Sequence, residues 1–539
     1  MPRKIVLLSG HVAAGKSWLA SALVERFGVE LFKTREAIHR LRDVESERGA
    51  LQRAGEALDR ETEGRWVANE LRRFIESLND SVAEDGIVVV DAVRIREQCD
   101  AVRRAYGPRV IHVHLTASEE VRAERFRLRD GEVRELPSYD AVLRNRTEKQ
   151  ADTLNDIADV VINTERNTVD DVVVRVASRI GLYGRELART VDVLVGGQWG
   201  SEGKGNIVGY LAPEYDVLVR VGGPNAGHQV YQEPEPDTFY HLPSGTNRAP
   251  NTEIVLGPGA TLEPVRLFEE ITKAQLDPAR LRIDPQAMII SPGDIAQEGK
   301  RLTGSIGSTG QGVGAATARK VLRTGAEREV RLARDVRELK PFIRPTLEVL
   351  DRAYADGKRI FLEGTQGTGL SLHHGDYPYV TSRDTTVSGC LSDAGIAPSR
   401  VRRIVMVCRT YPIRVESPPG GTSGPMGIEI DWKTVAERAG LDPDLLEARE
   451  KTTTTKRKRR VAEFNWALLR KAATLNGPTD IALSFTDHLK KENQSARRFS
   501  QLHPETLQFI EEVERVAGAP VSLIVTRFGF RNIIDRRAW

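Results

Sequence analysis

Two apolar segments of this chain each lead directly into a glycine-rich turn that carries a lysine, and then into a helical pattern. The first is IVLLSG followed by HVAAGKS, and the second is VDVLVG followed by GQWGSEGKGN. Such a turn brings backbone N–H groups and the positive end of a helix to one point, which favours an anion such as phosphate. Strands that alternate with helices favour parallel sheets. The predicted fold class is therefore α/β, with mostly parallel sheets covered by helices on both faces.

Length and composition place few constraints on the partners. At 539 residues the chain exceeds one ordinary domain, so more than one core is expected. The 79 Lys and Arg residues nearly balance the 76 Asp and Glu residues, and this balance gives no indication of a nucleic-acid or membrane partner. Cys99, Cys390 and Cys408 have no paired spacing, so neither a disulfide framework nor a zinc site is expected. No signal-peptide pattern or membrane-length apolar run is present, and we expect a cytoplasmic protein.

The first turn has the form of a phosphate-binding P-loop in its required context of strand, loop and helix. Gly10 and Gly15 let the N–H groups of the loop surround phosphates. Lys16 can reach the β- and γ-phosphate oxygens, and Ser17 can hold Mg²⁺. A later apolar segment, GIVVVDAVR, ends in Asp91, which is placed to orient the water shell of that metal. These residues predict a nucleotide site.

A second feature of this region is a helix rich in arginine, in TASEEVRAERFRLRDG. Thr116 and Glu119 have the spacing of a capping box and predict the start of the helix. Arg122, Arg125 and Arg129 then lie on one face. Read alone, an arginine face is usually a solvated surface. Beside a P-loop, it resembles the arginine-bearing lid of nucleoside monophosphate kinases.

We predict that residues 1–183 form a P-loop domain that resembles these kinases, followed by a linker at 184–190 and a second domain at 191–539. No segment of the first domain identifies the molecule that would accept a phosphate. Thr34 and Arg35, in FKTREAIH, are candidates for holding it. The linker sequence contains glycine and mixed charge and precedes a new apolar strand.

The second glycine-rich turn is followed, one strand later, by the turn GGPNAGH. Gly200, Gly203 and Gly205 allow backbone N–H groups to approach an anion closely. Together, GGQWGSEGKGN and GGPNAGH resemble the signature of the adenylosuccinate synthetase family, and the similarity extends over nearly all of residues 191–539. The resemblance implies a P-loop-like domain that joins L-aspartate to C6 of a 6-oxopurine nucleotide. A nucleoside triphosphate first activates the oxygen on C6.

The resemblance also assigns roles within these two turns. Lys204 and the neighbouring N–H groups would hold the triphosphate. Asn225 would lie near the substrate nucleotide, and the backbone carbonyl of Gly227 near Mg²⁺. His228 matches the catalytic histidine of the family, and an imidazolium there would stabilise the charge that develops on O6. A lone histidine is often a hydrogen-bonded core residue, but this one ends a glycine-rich turn after a strand.

Further segments match the family's binding site for the substrate nucleotide. IGSTGQGVGAATARKVLRTG carries Thr309 and Arg323 for the 5′-phosphate. In the family this arginine reaches in from the neighbouring subunit, so a homodimer is implied. Later segments place Gln366 near the base and Thr381 near the phosphate. Each residue could instead be a turn residue, but their order and spacing favour the site.

The run KTTTTKRKRR resembles an aspartate-binding loop. Thr454, Thr455 and Arg457 would hold the two carboxylates of aspartate. Without the resemblance, a basic run is more often a solvated face or a nucleic-acid patch. The family pattern is kept only in part, because Lys456 stands where a glycine usually precedes the arginines.

The segment expected to contact the base of the triphosphate also departs from the family. In ALSFTDHL, Phe485 stands at the position of a family lysine, while Asp487 keeps the acid. A carboxylate suits the N1 and N2 donors of guanine, whereas a phenylalanine can stack on any purine. GTP and ATP, or dATP, are both candidates for the energy donor.

The departure closest to the chemistry is Ser201, where the family usually has aspartate in GDEGKG. In the family this aspartate takes the N1 proton of inosinate and helps to hold Mg²⁺. Serine is no base near neutral pH, and loss of a positioned base costs about 10²–10⁴ in rate. Either the domain is impaired, or its substrate differs. A phage subgroup with the same replacement acts on deoxyguanylate, and the smaller serine leaves space for a 2-amino group.

Two functional classes follow from these observations. The first is a ligase whose catalytic residues are His228, Lys204 and Ser201. Its substrate is IMP if it follows the rest of the family, or GMP or dGMP as Ser201 suggests. The first domain would add a nucleotide kinase activity. The alternative is a nucleotide-sensing or regulatory protein in which only the P-loop turns over. Nucleic-acid binding through the basic run is a weaker hypothesis.

Overall fold

The structure is a computed structural model that describes residues 2–44, 48–78, 86–128, 139, 148, 150–183, 188–323, 331–451 and 457–539. The chain divides into two compact units, Met1–Arg185 and Glu186–Trp539. The proposed linker at 184–190 is described from residue 188 onwards. Within the described part of the chain, no helix combines the length and apolar character needed to cross a membrane.

The first unit is built on one parallel sheet. Its strands are β1 (Lys4–Ser9), β2 (Glu30–Lys33), β3 (Ile87–Asp91), β4 (Val110–Thr116) and β5 (Val160–Asn163). They form a five-stranded sheet in the order β2-β3-β1-β4-β5, in which each pair is parallel. The α-helices among the described residues of this unit are Lys16–Phe27, Thr34–Arg42, Arg48–Thr62, Arg65–Glu76, Arg96–Tyr106, Glu119–Arg127, Ala151–Asn155 and Val169–Ile180.

The apolar run of β1 shows why these segments form a central sheet. Ile5 and Leu7 contact one core cluster, while Val6 and Leu8 contact the cluster on the opposite face. All four side chains are fully buried. Each such side chain contributes about 1.5–3 kcal/mol to folding. Because successive side chains of a strand point to opposite faces, a continuous apolar run requires helices on both sides, as predicted.

The helix Glu119–Arg127 begins two residues later than a cap at Thr116 would place it. Ser118 is its N-cap, and its side chain accepts a hydrogen bond from the Val121 N–H at 3.4 Å. Thr116 is the last residue of β4, where it pairs with Asn163 of β5. The predicted cap at Thr116 is therefore wrong, because strand pairing already fixes that residue.

The second unit contains a larger sheet and three small ones. Its strands are β6 (Val191–Gly196), β7 (Val217–Arg220), β8 (His228–Val230), β9 (Asp237–Phe239), β10 (Glu253–Leu256), β11 (Thr261–Leu262), β12 (Leu281–Ile283), β13 (Met288–Ile289), β14 (Ile360–Glu363), β15 (Val401–Arg409), β16 (Ile413–Val415), β17 (Glu429–Ile430), β18 (Arg459–Ala462), β19 (Asp480–Ser484), β20 (Val521–Val525) and β21 (Ile533–Asp535). The nine-stranded sheet has the order β12-β10-β7-β14-β6-β15-β19-β20-β21. Only β21 is antiparallel to its neighbour in that sheet. The small sheets are β11-β13, β16-β18-β17 and β8-β9.

Helices cover both faces of this sheet. They are Lys204–Leu211, Pro264–Lys273, Pro292–Arg301, Thr303–Ile306, Val313–Leu322, Thr346–Ala355, Val387–Ala394, Trp432–Ala439, Pro443–Arg449, Trp466–Asn476 and Pro504–Ala517. In β6, Val191, Val193 and Val195 contact one core cluster and Leu194 the other. The predicted fold class is confirmed for both units. Segments after the carboxyl ends of β6, β7, β14, β15 and β19 share one edge of the sheet, where α/β proteins bind ligands.

Candidate active site

The glycine-rich turn after β6 has the backbone of an anion-binding loop. Gly200 and Gly203 have φ values of +93° and +89°, a region that other residues rarely adopt. Gly203 precedes the helix Lys204–Leu211, so the first N–H groups of this helix open onto the turn. A Cβ on Gly205 would lie 2.8 Å from Cβ of His228, so only glycine allows the two segments to approach this closely. The lysine-bearing helix is thereby packed against the strand that carries the histidine.

Glu202 holds the turn from within. Its Oε2 lies 2.5 Å from Nζ of Lys204, and both side chains are buried. Its Oε1 accepts hydrogen bonds from the N–H groups of Gly200, at 2.8 Å, and Gln198, at 3.2 Å. Charge-assisted bonds of this kind are strong inside a protein. The lysine is therefore already oriented toward the turn by a carboxylate for which the sequence predicted no role.

Ser201 presents its side chain to solvent while its backbone is fixed. The residue is exposed, whereas Glu202 and Lys204 on either side of Gly203 are buried. Its φ is +54°, a conformation in which Asp and Asn are common among non-glycine residues. The Ser201 carbonyl accepts a hydrogen bond from Nη1 of Arg409 at 3.3 Å. The hydroxyl is thus accessible to a ligand at the turn.

His228 belongs to a buried network of charged and polar groups. Its Nδ1 lies 2.5 Å from Oε1 of Glu363, and the same oxygen lies 3.2 Å from Nη1 of Arg220. The hydroxyl of Ser244 donates to this oxygen at 2.5 Å, and the Ser244 N–H donates to Oε2 at 2.7 Å. A carboxylate with this many donors fixes the orientation of the imidazole ring.

The charge states in this network differ from the imidazolium expected of His228. Burial, together with the Arg220 guanidinium, outweighs the bond to Glu363 and lowers the pKa of His228 to about 4. Burial acts to raise the pKa of Glu363, but Arg220 and His228 outweigh it and lower that pKa to about 2. The ring is therefore neutral near pH 7 without a ligand. A neutral ring that donates its Nδ1–H to Glu363 carries its lone pair on Nε2.

Among the residues predicted for the substrate nucleotide, the structure joins Asn225 to Thr309 and holds Gln366 through neighbours that were not predicted. Thr309 Oγ1 donates to Oδ1 of Asn225 at 3.0 Å, which joins two segments that are far apart in sequence. Gln366 has φ of +59°, and its Oε1 lies 2.8 Å from Oγ1 of Thr365. Arg383 Nη1 in turn donates to Thr365 at 3.1 Å. The amide of Gln366 is therefore held by a chain of polar contacts.

Three further predicted residues make few contacts through their side chains or lie in turns. Arg323 ends the helix Val313–Leu322, is exposed, and donates from Nε to the Val321 carbonyl at 3.3 Å. Thr381 is half-buried, and its N–H donates to the Leu370 carbonyl at 2.8 Å. Gly227, half-buried, directly precedes β8.

Part of the predicted aspartate loop lies outside the described residues. Thr454 and Thr455 fall there, as does Lys456. Arg457 is described and half-buried. An isolated antiparallel bridge joins Lys451 to Lys458 and so closes the base of the loop.

The segment predicted for the base of the triphosphate follows β19. Phe485 has φ of +59°, and one face of its ring is covered by the Arg409 guanidinium, with Cζ 4.1 Å from the ring centre. The His488 ring also contacts Phe485, with the two ring centres 5.2 Å apart. Burial raises the pKa of Asp487, which accepts a hydrogen bond from Gln494 Nε2 at 3.2 Å.

A cavity of about 860 Å³ lies beside the C-terminal loop VTRFGFRN of the second unit. Its lining combines aromatic side chains with arginines, which are Tyr231, Phe528, Phe530, Arg248, Arg497, Arg527 and Arg531. The Arg248 guanidinium stacks 4.8 Å above the ring of Phe530. This chemistry suits an aromatic anion such as a nucleotide.

Three buried charged residues at this edge were not predicted from the sequence. Arg220, Glu363 and Arg409 are the last residues of β7, β14 and β15. Each ends a strand that is otherwise largely apolar, and each is at most 2% exposed. Their position in the sequence could have identified them, because each is a charged residue at the carboxyl end of an apolar strand. A charge buried there needs an ion-pair partner or a ligand.

Similarity to known proteins agrees with this geometry. The family model for adenylosuccinate synthetase matches residues 193–335 and 326–494. The synthetase of Thermococcus sibiricus is 37% identical over 352 residues, which are 64% of this chain and 98% of the relative. That of Methanocaldococcus jannaschii is 36% identical over 355 residues, 65% of this chain and 97% of the relative. The chain belongs to the adenylosuccinate synthetase family.

Two solved structures resemble the synthetase unit. Adenylosuccinate synthetase of Plasmodium falciparum aligns with a TM-score of 0.55 at 23% identity, over 65% of this chain and 100% of that one. This likeness supports the fold. Succinoaminodeoxyadenylate synthetase of cyanophage S-2L, solved with dGMP and with dATP as an energy donor, aligns with a TM-score of 0.54 at 28% identity. The alignment covers 65% of this chain and 96% of the phage enzyme.

The unit that precedes the synthetase unit contains a formed P-loop. Lys16 Nζ donates to the carbonyls of Gly10, at 2.7 Å, and His11, at 2.6 Å. Gly15 has φ of +100° and precedes the helix Lys16–Phe27, and Ser17 is exposed in its first turn. A family model for an AAA domain matches residues 6–152 of this unit.

Other candidates of the P-loop unit lie nearby in the fold. Asp91 is the last residue of β3, and Thr34 Oγ1 donates to the Ala92 carbonyl at 3.0 Å. Arg122 is buried rather than solvated, and Arg125 donates from Nη1 to the hydroxyl of Thr164 at 2.8 Å. Arg35 is half-buried, and Arg129 lies outside the described residues.

Proposed function

We propose that the synthetase unit joins L-aspartate to C6 of a guanine nucleotide, GMP or dGMP, with hydrolysis of a nucleoside triphosphate. The observation that carries this proposal is the exposed Ser201 at the position of the family's aspartate. Serine leaves space for the exocyclic 2-amino group that distinguishes guanine from hypoxanthine. The similarity to a phage enzyme solved with dGMP adds support.

The chemistry proceeds in two transfers. The N1 proton of the purine passes to solvent or to a substrate phosphate as the γ-phosphoryl group moves from the triphosphate to O6 and the diphosphate is released. The neutral amine of aspartate then attacks C6, the C6–O6 bond breaks to release phosphate, and the new C–N bond forms with loss of one amine proton to that phosphate or to solvent. Lys204 and the N–H groups of its helix stabilise the charge on the transferred group. Gln366 and the pair of Asn225 with Thr309 hold the substrate nucleotide, so the acceptor oxygen stays in line.

His228 responds to the phosphoryl group in this scheme. Its Nδ1–H is held by Glu363, so its Nε2 meets O6. A neutral ring accepts a proton more readily when a phosphoryl dianion lies beside it, because an opposite charge raises the pKa. His228 would thus become the expected imidazolium only in the complex, where it stabilises the leaving phosphate oxygen.

The substrate choice rests on the space that Ser201 leaves. Hypoxanthine and guanine both carry a proton on N1, and a serine hydroxyl does not take it near pH 7. Losing the aspartate base would slow an inosinate enzyme by about 10²–10⁴, and only a guanine nucleotide gains from the space for a 2-amino group. IMP, the family default, remains the alternative substrate. A regulatory protein with an impaired synthetase unit is the alternative from another class.

Mg²⁺ fits this site through oxygen donors. Among the described residues, no three His, Cys, Asp or Glu side chains form a group that could hold a metal ion. A Mg²⁺ ion commonly keeps its waters and binds substrate phosphates with one or two protein oxygens. The Gly227 carbonyl would supply such an oxygen here, and the Ser17 hydroxyl would do so in the P-loop unit. The ion neutralises phosphate charge when bound.

ATP or dATP is a candidate donor beside GTP. Phe485 at the position of a family lysine removes one polar contact to guanine, and the aromatic side chains of the cavity at the C-terminal loop can stack on any purine. Burial of Asp487 disfavours the ionised carboxylate that would pair with guanine. The phage relative solved with dATP supports the adenine nucleotides.

A homodimer and a second activity complete the proposal. The exposed Arg323 suits a residue that completes the site of a neighbouring subunit. The P-loop and the buried Arg122 favour transfer of a phosphoryl group by the first unit, as in a nucleotide kinase. A kinase of this kind would act independently of aspartate.

One experiment tests the main proposal. IMP, dIMP, GMP and dGMP are each incubated with aspartate, Mg²⁺ and either ATP, dATP or GTP, and the adduct is measured by mass spectrometry. We expect a succino-adduct from a guanine nucleotide. Strong preference for an inosine nucleotide would contradict the role given to Ser201. No adduct from any of the four would favour the regulatory alternative.

A further inference from the structure

Two arginines of the synthetase unit share one buried carboxylate. Glu450 Oε1 lies 3.2 Å from Nη2 of Arg409, and its Oε2 lies 2.9 Å from Nη1 of Arg459. The three side chains are 5%, 0% and 11% exposed, in that order. Burial acts to raise the pKa of Glu450, but the two guanidinium groups outweigh it and lower the pKa to about 2. The triad therefore carries full charges in the interior.

Arg409 connects this triad to both parts of the triphosphate site. Its Nη1 donates to the Ser201 carbonyl in the phosphate turn at 3.3 Å. Its guanidinium covers the ring of Phe485 in the base segment, with Cζ 4.1 Å from the ring centre. One side chain thus contacts the phosphate turn, the base segment and the carboxylate.

Glu450 and Arg459 stand at the two ends of the proposed aspartate loop. Glu450 directly precedes Lys451, and Arg459 directly follows Lys458, the two residues joined by the antiparallel bridge. Arg459 also begins β18, and its carbonyl accepts a hydrogen bond from Trp432 Nε1 at 2.9 Å. The loop is therefore anchored at both ends by members of the triad.

Stability alone gives a poor account of this arrangement. A buried ion pair or triad is often no more stabilising than apolar side chains of the same volume. In the described part of the chain, Nε of Arg409 and Nε of Arg459 are buried with no hydrogen-bond partner, which adds to the unfavourable desolvation. The three buried charges are better explained by a role in holding the surrounding segments in a fixed position.

We propose that Glu450 is a positioning residue for aspartate. Through Arg459 it fixes the bridged residues Lys451 and Lys458, and through Arg409 it sets that bridge relative to the phosphate turn at Ser201. The inference rests on the proposed function and on the prediction from the sequence that the segment between these two lysines binds aspartate. The incoming amine must reach C6 while the phosphoryl group is on O6, and a displacement of about 1 Å can cost about 100-fold in rate.

The test is Glu450→Gln, measured by steady-state kinetics with each substrate varied in turn. We expect the KM for aspartate to rise about tenfold or more, with less than about threefold change in the KM for the guanine nucleotide. Glu429→Gln is the matched control. It removes the partner of Arg460 in the neighbouring strand, where Glu429 is 46% exposed, and we expect all three KM values to stay unchanged.

A second variant covers the case in which Glu450→Gln does not fold. Arg459→Lys keeps the charge but loses the planar fork, and should raise the KM for aspartate by a smaller factor. Suppose that the wild-type enzyme is active. An unchanged KM for aspartate in a variant that folds, or an equal rise in the KM of every substrate, would then overturn this inference and leave the proposed function standing. A wild-type protein without aspartate-dependent turnover would contradict the proposed function and the inference together.

Discussion

Nδ1 of His228 lies 2.5 Å from Oε1 of Glu363, and the two side chains are 8% and 1% exposed. The two residues are 135 positions apart in the sequence, so no local motif pairs them. The carboxylate holds the ring in one tautomer and leaves Nε2 as the reactive atom. In the proposed reaction it also stabilises the imidazolium that forms when a phosphoryl group arrives.

Glu363→Gln tests this pairing. The amide keeps the size of the side chain but removes the charge that supports a protonated ring, so we expect ligase kcat to fall about 100-fold or more, with a smaller change in KM. Glu253→Gln is the control, because it breaks a half-buried pair with Arg282 at the far side of the sheet. Equal activity of the two variants would show that Glu363 has no role in the reaction.

The sequence predicted the fold because its signals are local. An apolar run such as that of β1 predicts a strand, and a glycine turn such as that at Gly203 predicts where a helix begins. The site was predicted only where a family motif exists, as for His228. Its partner Glu363, and the triad at Glu450, depend on contacts between distant segments, which no local pattern records. The misplaced cap at Thr116 has the same cause.

The two phosphate loops should be separable by mutation. Each lies in a unit with its own cores, so Lys16→Ala should abolish any phosphoryl transfer by the first unit and leave aspartate ligation within about twofold of wild type. Lys204→Ala should do the reverse. Aspartate-dependent phosphate release and aspartate-independent diphosphate formation are measured side by side. Loss of both activities in either variant would argue against two independent sites.

Arg323 should act across the interface of a homodimer. An Arg323→Ala chain and a His228→Ala chain are each expected to be inactive alone. In a mixed dimer one of the two sites contains both native residues, so mixing should restore up to about one quarter of the wild-type ligase activity at random assortment. Native mass spectrometry of differently tagged chains verifies that mixed dimers form. If they form without any recovery, the shared site is excluded.

The P-loop unit should lose stability on mild acidification. Ser9 Oγ lies 2.6 Å from Nε2 of His112 and 2.8 Å from Nδ1 of His114, and all three are buried. Burial lowers the pKa of each imidazole to about 4, whereas an unfolded histidine titrates near 6.5. Their contribution is present above about pH 6.5 and is lost as the pH falls toward 4.

At pH 5.5 this loss amounts to about 1.4 kcal/mol for each histidine. The free energy of unfolding of this unit is measured by pulse proteolysis of the full chain in urea at pH 7.5 and pH 5.5. His112→Gln should reduce the difference between the two pH values. A unit equally stable at both would contradict the assignment of neutral, buried imidazoles.

Ser201→Asp should move the substrate preference of the ligase toward IMP. The φ of +54° at this position suits aspartate, so the variant is expected to fold. The new carboxylate supplies a base for N1, worth about 10²–10⁴ in rate with IMP, and its larger volume crowds the 2-amino group of guanine.

Ser201→Asn separates these effects, because it has the size of aspartate without the base. It should lose activity with GMP and dGMP and gain none with IMP. The ratio of kcat/KM for IMP and dGMP in the three proteins decides the matter. Should the asparagine variant keep its guanylate activity, space at Ser201 does not select the base, and the preference of the enzyme must come from another residue.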